Sequence, residues 1–140
     1  MSAEFNKQDA IDMVKSLPTF TRDFTLNQYQ DIIEAVDYPD PTKGPTDPVD
    51  GRYPLWYYGL GLGEAGEVQD KIKKIYRNDA GVLTSESTTA LAYELGDTLW
   101  YLSRIAAKIG LGLADVAEMN IMKLSDRAKR DVLRSSGDTR

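Results

Sequence analysis

The sequence predicts an all-α fold, a bundle of four to five helices, on three observations. Apolar residues recur at helical spacing along several long segments, no segment alternates apolar and polar residues with comparable strength, and five of the six prolines fall in one connection. At 140 residues, with 41% hydrophobic and 28% charged residues, the chain is the length and make-up of one globular domain. The expected division is a single domain over 1–140, with an N-terminal extension at 1–24, a Pro-rich loop at 39–54 and a frayed tail at 135–140.

The elements follow in order. "KQDAIDMVKSL" gives a weak helical signal that ends at Pro18. "TLNQYQDIIEAVDY", residues 25 to 38, sets Leu26, Tyr29, Ile32, Ile33 and Val36 on one stripe, with Thr25 as N-cap. "YPDPTKGPTDPVDGRYP", residues 38 to 54, cannot sustain a helix and is either a passive linker or a binding loop or lid. Helical spacing resumes from Leu55 to Arg77, with Leu55, Leu62, Val68, Ile72, Ile75 and Tyr76 expected to be buried. Gly59, Gly61, Gly63 and Gly66 weaken its first half, each by up to about 1 kcal/mol relative to alanine. They predict close approach of a neighbouring helix or an irregular start. "RNDAGVLTSE" makes a turn, and Ser87 or a nearby Ser/Thr caps the next helix, "TTALAYELGDTLWYLSRIAAKIG", which stops at Gly110. A last helix from Leu113 to Leu133 is expected to bury Leu113, Val116, Ala117, Ile121, Leu124 and Ala128.

Charge and composition exclude several classes of function. With 22 acidic against 17 basic residues and a net charge of −5, no overall basic field attracts a nucleic acid polymer. No stretch resembles a membrane span, and the N-terminus lacks the features of a secretory signal, so the expected location is cytoplasmic. Cysteine and histidine are both absent, which removes thiolate nucleophiles, disulfides, Cys-ligated zinc and imidazole in any role. Chemistry is left to carboxylates, hydroxyls, amides, Lys, Arg and water.

Two short motifs then stand out. "EAGE" holds Glu64 and Glu67, and "ELGD" holds Glu94 and Asp97, each an i, i+3 pair. Such a pair lies about 60° apart around a helix axis and about 4.5 Å along it, so both members leave from one face. Leu91, Leu95, Thr98, Leu99, Trp100, Tyr101 and Leu102 surround the second pair, too apolar a setting for a freely solvated surface. Gathered carboxylates repel one another unless protonated or neutralised, and a hard divalent cation such as Mg²⁺ prefers oxygen ligands. A di-iron bundle would need Glu-x-x-His motifs, which this chain lacks. Lys71 has a plainer use as an i, i+4 partner of Glu67. Asn120, Lys123 and Arg127 fall at i, i+3 and i+7 on one helix face, as donors suited to phosphate oxygens or as a solvated basic edge.

At these residues the sequence resembles the MazG-like nucleoside triphosphate pyrophosphohydrolases of the all-α NTP pyrophosphatase superfamily, whose signature is ExxE, a spacer and ExxD. "EAGE" and "ELGD" match it across 26 intervening residues, positions 68 to 93, and the likeness runs from "LNQYQ" at 26 to 30 to "NIMKLSDR" at 120 to 127. The resemblance implies Mg²⁺, with Mn²⁺ as a substitute, held by Glu64, Glu67, Glu94 and Asp97. It also implies cleavage of an NTP or dNTP between the α and β phosphates, with Glu64 or Glu67 accepting the proton of the attacking water. It implies Asn120 and Lys123 as phosphate ligands and places Tyr101 near the nucleotide. Gln28 and Gln30 are candidates for reading base edges, and Trp56 or Trp100 for stacking. The competing reading is a non-catalytic oligomerisation or nucleotide-sensing module of the same fold. Leu55, Trp56, Tyr57, Tyr58, Leu60 and Leu62 exceed what one stripe can bury, and with the resemblance they predict a homodimer or a dimer of dimers.

Overall fold

The protein is described here by a computed structural model that covers residues 12, 23–37 and 39–130. The expected N-terminal helix lies outside the described residues apart from Asp12, and so does the expected tail. In chain order the elements are α1 (Leu26–Val36), α2 (Leu55–Gly61), a 3-10 turn (Leu62–Glu64), α3 (Ala65–Asp79), α4 (Ser85–Lys108) and α5 (Leu113–Lys129). No strand occurs among the described residues. Counting α2, the 3-10 turn and α3 as one interrupted helix leaves four, and the interruption falls where the glycines are concentrated.

Local chemistry explains the boundaries. Thr25 caps α1 in a reciprocal box: Gln28 N donates to Thr25 Oγ1 at 3.1 Å, and Thr25 N donates to Gln28 Oε1 at 2.7 Å. Thr84 does the same for α4, with Ser87 as the answering side chain, so that helix starts at Ser85. Its last turn gives way to Gly110 at φ 77°, a left-handed conformation that glycine adopts without penalty. Ala80 ends α3 in the same region of backbone space, at φ 52°.

Helix α4 is the hub, touching α1, α2, the 3-10 turn, α3 and α5, while among the described elements α5 otherwise packs on α1. Gln30, 7% exposed, joins three elements. Its Nε2 donates to Ser103 O at 3.3 Å and Leu111 O at 3.0 Å, and its Oε1 accepts from Leu113 N at 2.9 Å. The bonds to Leu111 O and Leu113 N satisfy backbone groups that the turn into α5 leaves without helical partners. Beside it, Asp37 Oδ2 accepts from Arg104 Nε at 2.8 Å and from the Tyr58 hydroxyl, and Asp37 and Arg104 are both buried. Burial first, and then the hydrogen bond to Asp37, push the Tyr58 phenol up to about 12. Arg52 Nη1 donates to Glu34 O at 2.7 Å and to Asp37 O, which fastens the loop to the exit of α1.

The Pro-rich loop is anchored to α4. Lys108 Nζ donates to Asp47 Oδ2 and Asp50 Oδ2, both at 2.8 Å, with the lysine side chain only 8% exposed. Burial pulls the Lys108 ammonium down, but the hydrogen bonds to the two aspartates outweigh it and leave the group raised.

Several expected core positions are exposed. Leu55, Ile72 and Tyr76 stand 46%, 41% and 70% exposed, and in this stretch Ile75 and Tyr58 are the buried pair. On α5, Leu113 is buried, but Val116, Ile121 and Leu124 are exposed and Ala128 with them. The described elements leave those side chains largely open to solvent, because each of these helices packs on its neighbours along one side only.

Two outcomes are expected. Replacing Asp37 by Asn leaves the Arg104 guanidinium buried without a counter-charge and lowers stability by about 3–5 kcal/mol in chemical denaturation. Lys108→Met should speed amide exchange across residues 47–53 while α4 stays protected. The pH dependence has a definite sign. Asp47 titrates below its usual 3.8 because of the bond from Lys108 and a backbone N–H, and Asp50 is also lowered, burial opposing its bonds from Lys108 and the Arg52 N–H. The latch is therefore present above the ordinary carboxylate range and lost as pH falls through the depressed values. Because Lys108 is raised, alkaline release comes only above 10.5. Exchange of the loop in the wild type should accelerate on strong acidification and approach that of Lys108→Met.

Candidate active site

The two acidic motifs arrive at one place by different routes. Glu94 and Asp97 share a face of α4, one turn apart, as their spacing requires. Glu64 ends the 3-10 turn, which packs on α4 and presents its carboxylate across the interface. One oxygen from each of Glu64, Glu94 and Asp97 lies within 4.8 Å of the others. Glu64 and Glu94 are half-buried and Asp97 is exposed, so the group opens to solvent on one side. Glu67, in the first turn of α3, is exposed and stands outside this group of three.

Beside the carboxylates opens a cavity of about 330 Å³, lined by Glu64, Asp97, Trp100 and Tyr101. Trp100 and Tyr101 meet edge to face at 4.9 Å, and Trp100 leans on Tyr58 at 6.0 Å, which ties the cavity wall to the buried Asp37 anchor. Burial and then the Glu64 carboxylate push the Tyr101 phenol up. It stays protonated at neutral pH. Burial and then the charge of Asp97 raise the Tyr29 phenol as well, so α1 contributes an aromatic to the neighbourhood. Tyr29 reads in the sequence only as one of the stripe residues of an amphipathic helix. Its approach to Asp97 is a tertiary fact that no local pattern carries.

Three carboxylates at this separation suit a hard divalent cation, whose ligands are oxygens and whose charge relieves their mutual repulsion. The sequence holds no histidine or cysteine that would favour a softer metal there.

Residues 59–132 match the family described as MazG nucleotide pyrophosphohydrolase domain. The chain belongs to the MazG family. It is also 42% identical over 101 residues to the "Gene 37 protein" of Mycobacterium phage L5, a match that covers 71% of this chain and 86% of that protein. No solved structure matches.

In this MazG protein the remaining candidates are dispersed. Lys71 reaches across to α4, where its Nζ lies 3.3 Å from Glu94 Oε1. The ion pair of Lys71 thus runs across to Glu94, where the sequence suggested the local Glu67. Asn120 and Lys123 are exposed and Arg127 half-buried on α5, a helix that packs on α1 and α4, and none of the three lines the cavity. Gln28 is occupied in the α1 capping box and Gln30 in the buried joint with α4 and α5, so the hydrogen bonds of both amides here are structural. Trp56 is 58% exposed on α2 with its ring against Tyr57, while Trp100 stands in the cavity wall.

Proposed function

We propose that this MazG protein hydrolyses a nucleoside or deoxynucleoside triphosphate between the α and β phosphates, releasing the monophosphate and pyrophosphate. The observation that carries the reading is the convergence of Glu64, Glu94 and Asp97 within 4.8 Å at the mouth of a cavity walled by Trp100 and Tyr101. A divalent cation bound there, Mg²⁺ or Mn²⁺, supplies charge neutralisation for the triphosphate and acidifies a water molecule. Glu64, Glu94 and Asp97 hold the cation side of the site. Glu67 lies three residues beyond Glu64 and outside the group, which leaves its carboxylate available to take the proton from the attacking water. Tyr101 offers a neutral hydroxyl and a ring face to the nucleotide. Lys71, held close to Glu94, can turn to the phosphates, and Asn120, Lys123 and Arg127 are donors on a helix at greater remove. Trp56, exposed on α2, completes the set as a stacking surface for the base.

Turnover of each standard NTP and dNTP, with products separated by chromatography, tests the reaction. Monophosphate and pyrophosphate are expected, and a diphosphate as main product would remove the assignment. Glu94→Gln and Asp97→Asn should lose both Mn²⁺ binding, followed by titration calorimetry, and turnover. Glu67→Gln should keep Mn²⁺ binding but lose turnover by a factor on the order of a hundred or more. A wild-type protein that binds Mn²⁺ and nucleotide without releasing pyrophosphate would be a sensing module instead.

The same reading includes self-association as a homodimer or a dimer of dimers. Leu60, Trp56, Met119, Ile121 and Met122 are each more than half exposed, on α2 and α5, an arrangement that favours cover by a second copy. Light scattering at low micromolar concentration should give a mass at least twice 15.6 kDa. A fully active species of 15.6 kDa would contradict it.

A further inference from the structure

Of the glycines around the carboxylate motifs, one differs from the rest. A Cβ built on Gly59, Gly63, Gly66 or Gly96 would meet nothing within 4 Å. A Cβ on Gly61 would stand 2.0 Å from Tyr101 Cε1 and 2.4 Å from its Cζ, far inside any tolerable contact. The backbone of Gly61 is ordinary right-handed helix, φ −62° and ψ −24°, so its conformation is open to any residue and only the space forbids a side chain. Gly61 is also the last residue of α2 and the one that leads into the 3-10 turn ending at Glu64.

The Tyr101 ring has little freedom to step aside. Trp100 lies against it edge to face at 4.9 Å, and Trp100 is backed by Tyr58, whose hydroxyl is bound to Asp37. The open direction is the cavity that Tyr101 shares with Glu64 and Asp97. We infer that Gly61 is a positioning residue for this site: the bare Cα seats the Tyr101 ring, and that seating sets both the clear volume of the cavity and the height of the turn that carries Glu64. The inference rests on the proposed metal role of the carboxylates. An added methyl group at position 61 drives the ring into the cavity or lifts the turn, and either movement spreads the group of three oxygens.

The test is Mn²⁺ titration calorimetry on wild type, Gly61→Ala, Tyr101→Ala and the double variant, with Gly59→Ala as a control in the same helix. Gly61→Ala should weaken Mn²⁺ binding by about tenfold or more, the usual cost of disturbing the support of a ligand set. Gly59→Ala should stay within about twofold of wild type, as should the double variant relative to Tyr101→Ala alone, because without the ring the methyl group has nothing to strike. Should Gly61→Ala fail to fold, that last comparison decides alone. Equal affinity in wild type and Gly61→Ala, or a tenfold loss on adding Gly61→Ala to Tyr101→Ala, would overturn the inference while leaving the metal site intact. A wild type that binds no Mn²⁺ would overturn the metal reading itself and this inference with it.

Discussion

The contact on which the rest of the molecule depends is the buried pair of Asp37 and Arg104, with Nε and Oδ2 2.8 Å apart and each side chain no more than 3% exposed. Desolvating two charges costs several kcal/mol per ion, so such a pair adds little net stability over an apolar substitute. What it adds is position. Asp37 ends α1, Arg104 lies in the second half of α4, and Tyr58 of α2 shares the same carboxylate oxygen, so three helices are referred to one atom. From Tyr58 the reference passes through Trp100 to Tyr101 and so to the wall of the cavity. The acidic group is therefore placed by an anchor elsewhere in the core rather than by its own contacts, which are repulsive among its members.

That anchor was not legible in the sequence, for a physical reason. Asp37 and Arg104 are 67 positions apart, and each sits in a local pattern that a charged residue on a helix surface would also produce. Gln30 escaped in the same way: its amide resembles a solvent-facing side chain or a base reader until the fold brings Ser103, Leu111 and Leu113 around it. Features set by neighbours in sequence were readable. Thr25 caps α1, a Ser/Thr pair caps α4, Gly110 follows the end of α4 in a left-handed turn, and the glycines between 59 and 66 do mark an interrupted helix. Of the two causes open for those glycines, irregularity accounts for most, and close approach applies at Gly61, by a side chain rather than a helix backbone.

Periodicity also identified faces better than it identified what covers them. Leu55, Ile72 and Tyr76 do follow a helical stripe, yet they are exposed, as are Val116, Ile121 and Leu124 on the last helix. An apolar stripe records that a helix prefers cover. It holds no record of whether the cover comes from the same chain. Among the described elements α4 is the hub, and one helix has too little surface to shelter the outer sides of the five elements it touches.

Lys71 shows how the site overrides local preference. An i, i+4 pair with Glu67 would be worth only a few tenths of a kcal/mol on an exposed helix face. Glu94, at 3.3 Å, has a side chain 18% exposed and stands in a group with Glu64 and Asp97, so a cation there feels the summed field of three carboxylates in a less polar medium. The ammonium accordingly takes the inter-helix partner. The field that draws Lys71 is the one that would draw a divalent cation, and in the reading proposed above the flexible stem of lysine would let its charge shift to phosphate oxygens once a metal took the carboxylates. A side chain that looks like a local surface ion-pair partner in sequence is thereby placed across the α3–α4 interface, beside the three carboxylates.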